Sequence, residues 1–167
     1  ADTYAYDLTT APSYYNFGDY TYSNFDGNNK YVYYQEGIYV GYRYYETAAA
    51  DGYIDYDTTV QFPFGYGLSY TNFDWEVEKT ELGDIGGTIN IDVKVTNTGD
   101  VAGKDVVELY YAAPYDPAEE IEKSSVVLGA FEKTNTLKPG ESETVTLTMN
   151  VDDMASYDYK NNKCYVL

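Results

Sequence analysis

From residue 73 onward, apolar and polar positions alternate in short runs. Ile89, Ile91, Val93 and Val95 alternate with Asn90, Asp92, Lys94 and Thr96, a period of two that predicts a half-buried strand. Phe73, Trp75 and Val77 around Asp74 and Glu76 predict an earlier strand over residues 73–77. Residues 106–112 (VVELYYA) predict a third strand, interrupted by residues 114–117 with a proline at each end. Residues 125–131 predict a fourth, residues 144–149 (TVTLTM) a fifth, and residues 163–167 begin another. Turn chemistry falls between these runs. Asn97-Thr98-Gly99-Asp100 is one turn, and Lys138-Pro139-Gly140-Glu141 is a second, in which proline presets one torsion and glycine frees another. Short strands separated by regular turns predict an antiparallel β-sandwich and leave no room for a parallel sheet with crossover helices.

The residues before 73 read differently. Residues 61–71 (QFPFGYGLSYT) pack four aromatics, one proline and two glycines into a short space. Aromatics bury large areas, and glycine serves where the backbone leaves no room for a side chain. This stretch predicts a packed seam between what precedes it and the sandwich, which is of the immunoglobulin or fibronectin type III kind. Residues 31–46 (YVYYQEGIYVGYRYYE) form a second dense run, with strand propensity at Tyr31–Tyr34. From Ile38 to Tyr45 the pattern fits either a strand or a short helix packed closely through its glycines. The small residues Ala48 to Ala50 and the acidic stretch 51–57 look like a variable surface loop. Residues 1–30 are loop-like, and their tyrosines and phenylalanines favour wrapping on another surface over disorder.

Composition narrows the function. A net charge of −18 over 167 residues argues against nucleic acid and anionic membrane surfaces as partners. With one cysteine and no histidine, the chain has no intramolecular disulfide, too few ligands for a typical zinc or haem site, and no Ser-His or Cys-His relay. No cofactor is implied. No apolar run approaches the length of a membrane span. The first residues carry neither an initiating Met nor a signal-peptide pattern, which points to a processed chain or a fragment. The 23 tyrosines suit a carbohydrate-handling surface, yet they also simply fill β-structure. Asp51, Asp55 and Asp57 do not match a calcium loop and read as surface acids. Cys164 reads as a small core hydrophobe, and Trp75 as core or seam packing rather than a sugar platform. Glu36 and Arg43 sit in apolar surroundings, where an unpaired charge is costly. They read either as an internal ion pair, or a carboxylate held by backbone amides, or as charge at the rim of a sugar pocket.

Two motifs and their order resemble a known family. Residues 36–46 (EGIYVGYRYYE), followed by residues 64–71 (FGYGLSYT), resemble the consecutive signatures of glycoside hydrolase family 3. Val95-Thr96-Asn97-Thr98-Gly99, Gly103, Val107-Glu108-Leu109-Tyr110, residues 128–133 and residues 137–142 resemble the family's fibronectin type III-like pattern. The resemblance covers the whole chain. It implies a mainly β fold, in which residues 1–72 are the Tyr-rich C-terminal tail of an α/β sandwich domain. Residues 73–167 would be a fibronectin type III-like domain lacking its last strand.

The family's enzymes remove sugars from non-reducing ends, most often as β-glucosidases, β-xylosidases or β-N-acetylglucosaminidases. Retaining hydrolysis requires a carboxylate nucleophile and a facing acid/base carboxyl. In the family these lie in a TIM-like barrel and in an upstream part of the α/β domain, so no catalytic residue and no metal ligand is assigned here. Glu36, Tyr42 and Arg43 are substrate-entrance candidates, and Phe62, Phe64, Tyr66 and Tyr70 are interdomain-seam candidates. The expected partners are the remainder of the same enzyme or a second chain supplying a strand, together with a carbohydrate substrate. A secreted or cell-envelope setting would suit such an enzyme. The competing reading is a stand-alone binding or fibre-assembly module that uses an open sandwich edge and a Tyr-rich surface.

Overall fold

The structure is a computed structural model and describes residues 37–167. The loop-like reading of residues 1–30, the strand expected at Tyr31–Tyr34, and Glu36 lie outside the described residues.

The choice left open between strand and helix resolves as a helix, α1, Tyr42–Ala50. Gly41 opens it with φ of 61°, a left-handed torsion that favours glycine. Tyr44, Thr47 and Ala48 are its buried residues, spaced i, i+3 and i+4 so that they share one face. Ala48 to Ala50 therefore belong to the helix and not to a surface loop, in keeping with alanine's high helix propensity. The helix stops in a Schellman arrangement. Gly52 adopts φ of 77°, its N–H donates to Ala49 O, and Tyr53 N–H donates to Ala48 O at 2.8 Å. A second helical turn, α2, Tyr56–Thr59, follows, and the Asp55 side chain accepts from Thr58 N–H at its start. The stretch read as an acidic loop is thus largely a helix stop and a helix start.

The sandwich follows the alternation closely. A three-stranded antiparallel sheet runs in the order β1 (Phe73–Glu81), β2 (Thr88–Asn97), β5 (Ser142–Asn150). Facing it is a two-stranded sheet of β3 (Val106–Tyr111) and β4 (Val127–Lys133). Register brings Val93 opposite Val145, Ile91 opposite Leu147, and Leu109 opposite Ala130. These residues meet in one core of Val93, Val95, Val107, Leu137, Val145 and Leu147, flanked by Phe73, Ile91, Leu109 and Ala130. Each such buried aliphatic contributes roughly 1.5–3 kcal/mol. The Lys138–Glu141 turn forms as expected, with Gly140 at φ of 79° and Glu141 N–H donating to Lys138 O.

Three expectations need correction. The last strand, β7 (Cys164–Val166), pairs with a short strand, β6 (Ser156–Asp158), which the alternation does not reveal. This hairpin is a separate ribbon, so Cys164 is exposed rather than packed in the core. Trp75 is not core either: it is 53% exposed, and its Nε1–H donates to Asp105 Oδ2 at 2.7 Å.

Asn97 anchors the preceding segment to the sandwich. It is completely buried, and its side chain makes every bond available to it. Oδ1 accepts from the Thr71 hydroxyl at 2.6 Å and from Gly99 N–H, while Nδ2 donates to Val101 O and Leu137 O at 2.8 Å each. Gly99 and Gly103 allow this close approach, because a Cβ on either would run into Thr71.

Candidate functional site

The aromatic motifs meet on the outer face of the β3–β4 sheet. Glu108 and Tyr110 lie two apart in β3, so they share the face opposite the core residues Val107 and Leu109. α1 lies over this face. The Tyr42 hydroxyl accepts from Leu128 N–H at 2.7 Å, and the Thr47 hydroxyl accepts from Ser125 N–H at 3.0 Å while donating to Arg43 O. The Tyr42 ring stacks on Phe64 with centroids 4.4 Å apart and meets Tyr110 edge-on at 6.1 Å. Phe64 precedes Gly65, whose φ of 81° carries the chain over the Glu108 carboxylate, where a Cβ would strike Glu108 Oε2.

Between these groups opens a cleft of about 350 Å³, lined by Tyr42, Glu46, Phe64, Gly65, Glu108, Tyr110 and Val126. Each of its carboxylates serves a neighbouring tyrosine. Tyr56 OH donates to Glu46 at 2.6 Å, and Tyr110 OH donates to Glu108 at 2.9 Å. The hydrogen bond to Glu46, reinforced by partial burial, pushes the Tyr56 hydroxyl up to about 12. Burial first, and the Glu108 bond second, hold Tyr110 well above the usual phenol range. Both phenols therefore remain donors at neutral pH. The arrangement locks two acidic acceptors to two neutral donors, which is cross-linking chemistry for a seam.

The sequence-predicted residues divide between contact and exposure. Tyr42 joins the sandwich to the aromatic motif, and Phe64 packs on it. Arg43 is half-buried beside Tyr111, and among the described residues no carboxylate is within ion-pair distance of it. Glu36 lies outside the described residues, so the Glu36–Arg43 pairing does too. Phe62 and Tyr66 pack on each other at 5.1 Å and present their other faces to solvent. Leu68 is 90% and Tyr70 98% exposed. Sequence reasoning did not single out Glu46, Glu108 or the hub Asn97. The legible signal for Glu108 was an acid alternating with tyrosine on the face opposite two core aliphatics. Among the described residues no group of three or more His, Cys, Asp or Glu converges as a metal site requires, and no helix is long and apolar enough to cross a membrane.

Residues 105–167 match the fibronectin type III-like domain family. The chain is 41% identical over 171 residues to beta-glucosidase A of Butyrivibrio fibrisolvens, covering 95% of this chain and 19% of that protein. It is 43% identical over 157 residues to a beta-glucosidase of Ruminococcus albus, covering 94% of this chain and 14% of that protein. The crystal structure of a beta-glucosidase from Paenibacillus barengoltzii superposes with a TM-score of 0.74 at 42% identity, over 95% of this chain and 16% of that one. The chain therefore spans only 14–19% of the length of these two relatives. Identity at this level across nearly the whole chain, together with the fibronectin type III-like match and the superposable structure, places the chain in glycoside hydrolase family 3.

Proposed function

We propose that this chain is the non-catalytic C-terminal-side part of a family 3 glycoside hydrolase that removes sugars from the non-reducing ends of β-glycosides, β-glucosides foremost. Residues 1–72 would form the tail of its α/β sandwich domain, and residues 73–167 its fibronectin type III-like domain. The nucleophile and the acid/base belong to the barrel and to the upstream α/β domain of the longer polypeptide. The part described here braces that domain. Phe62, Phe64, Tyr66 and Tyr70 line the seam, and Tyr42 and Arg43, with Glu36, stand towards the substrate entrance.

One observation carries this reading. Ile38, Val40, Tyr45, Phe62, Phe64, Tyr66, Leu68 and Tyr70 are all exposed within a single stretch of chain that is itself anchored to the sandwich by Tyr42, Thr47 and Thr71. An apolar stretch held this firmly and exposed among the described residues suits an interface with the rest of the enzyme. The test is hydrolysis of aryl β-glucosides by the isolated chain and by a longer polypeptide that adds the barrel and the upstream α/β domain. Turnover by the longer polypeptide alone is expected. Turnover by the isolated chain would contradict the assignment. The open sandwich edge favours a second reading, a stand-alone assembly module, for which the isolated chain would form ordered oligomers.

A further inference from the structure

We propose that the cleft between α1 and the β3–β4 sheet is a binding site for an organic cation, a guanidinium or alkylammonium group. This goes beyond the enzyme assignment. It rests on that reading for only one of two sources of the cation, a side chain of the longer polypeptide; the other is a free small molecule.

The cleft offers acceptors and ring surface. Glu46 Oε1 accepts from the Tyr56 hydroxyl and Glu108 Oε2 from the Tyr110 hydroxyl. Among the described residues no hydrogen bond falls on Glu46 Oε2 or Glu108 Oε1, and no Lys or Arg stands within ion-pair distance of either acid. Each acid thus brings one unengaged oxygen and an unpaired charge to a cleft that both line. Beside them, the Tyr42 and Phe64 rings lie 24° from parallel with centroids 4.4 Å apart, and Tyr110 meets Tyr42 at 83°.

That set of groups selects among ligand classes. Two carboxylates repel an anion. A neutral sugar wants donors as well as acceptors, yet the Tyr56 and Tyr110 protons are already engaged by the acids. A metal ion wants more ligands, and among the described residues no group of three or more His, Cys, Asp or Glu converges. A guanidinium carries five donors and no acceptor, and its flat face stacks on aromatic rings. An ammonium is likewise drawn to the ring quadrupole. The cleft's 350 Å³ lies near the lower end of ligand pockets, which run from about 300 to 1,000 Å³, and suits a small cation with an apolar stem against Val126. The net charge of −18 draws cations to the whole surface, but only here do acids and rings converge on one cavity among the described residues.

The experiment titrates the full 167-residue chain with ethylguanidinium and, separately, with ethylurea, its planar neutral analogue, while NMR follows the rings of Tyr42, Phe64 and Tyr110. Saturable shifts of these rings with ethylguanidinium are expected, with ethylurea at least about tenfold weaker. Glu46→Gln and Glu108→Gln each keep an acceptor for their tyrosine and should each weaken binding by about threefold or more. Equal binding of ethylurea would overturn the proposal. So would tighter binding of cellobiose, or shifts that never saturate and spread over the whole acidic surface. Crystals of the longer polypeptide soaked in ethylguanidinium distinguish the sources. Probe density in the cleft identifies a free cation, and a Lys or Arg side chain already seated there identifies the polypeptide itself. An apolar side chain filling the cleft would overturn both. The glycoside assay reads none of these signals, so failure here is distinguishable from failure of the enzyme assignment.

Discussion

Asn97 shows how one buried side chain ties two parts of the molecule together. Replacing it with alanine leaves the Thr71 hydroxyl and the Val101 and Leu137 carbonyls short of a partner in a closed interior. Unmet buried polar groups cost about 1–3 kcal/mol each, partly relieved by relaxation and water. Asn97→Ala should therefore destabilise the domain by roughly 2–4 kcal/mol in urea unfolding. A loss below about 0.5 kcal/mol would mean that the hub is not intact in solution. Tyr56 offers a titration at the same scale. Its hydroxyl is raised from 10.0 to about 12 by its bond to Glu46, so the folded state keeps a proton that the unfolded state loses first. The stabilising effect is fully present below pH 10 and is lost as the pH rises towards 12. NMR of the Tyr56 ring should show the elevated midpoint, and Glu46→Gln should return it towards the ordinary phenol value. Two residues mark where reading from sequence stops. Trp75 and Cys164 look like core residues because alternation records which face a side chain takes, not whether anything covers that face.

At the scale of elements, β2 and β5 were legible because Ile89 to Val95 and Val145 to Met149 alternate without interruption against a single buried face. β6 was not, since Ser156–Asp158 is too short to show a period. α1 was ambiguous for a different reason: tyrosine at four of the seven positions from 39 to 45 serves a strand or a helix equally, and the apolar count carries no periodicity. The stop signal Asp51-Gly52 after three alanines was the better evidence for a helix. Docking of α1 depends on the Tyr42 hydroxyl. Tyr42→Phe retains the ring stack on Phe64 but leaves Leu128 N–H without its acceptor, at a cost of roughly 1–2 kcal/mol. Amide exchange at Leu128 should accelerate by about tenfold or more, while the β2 and β5 amides on the far sheet keep their rates. An unchanged Leu128 rate would show that the helix is held by packing alone.

At the scale of the whole molecule, two exposed apolar surfaces with different chemistry stand out among the described residues. One is the row of exposed aromatics and Leu68 before residue 73, suited to the flank of another domain. The other is the inner face of β1, where Trp75 and Val77 are exposed. The cleft between α1 and the β3–β4 sheet is acidic by comparison, with carboxylates that also accept from tyrosines on the same chain. The candidate seam could be named from the sequence because its motifs are dense and consecutive. Its partner could not, because the chain spans only 14–19% of the length of the two relatives. The most direct test of the account is the intact mass, under denaturing conditions, of the protein as purified from its source, followed by sequencing of its terminal peptides. The expected result is a longer polypeptide, or a second one alongside this chain, carrying a barrel. A single species of these 167 residues would contradict the assignment to a larger enzyme.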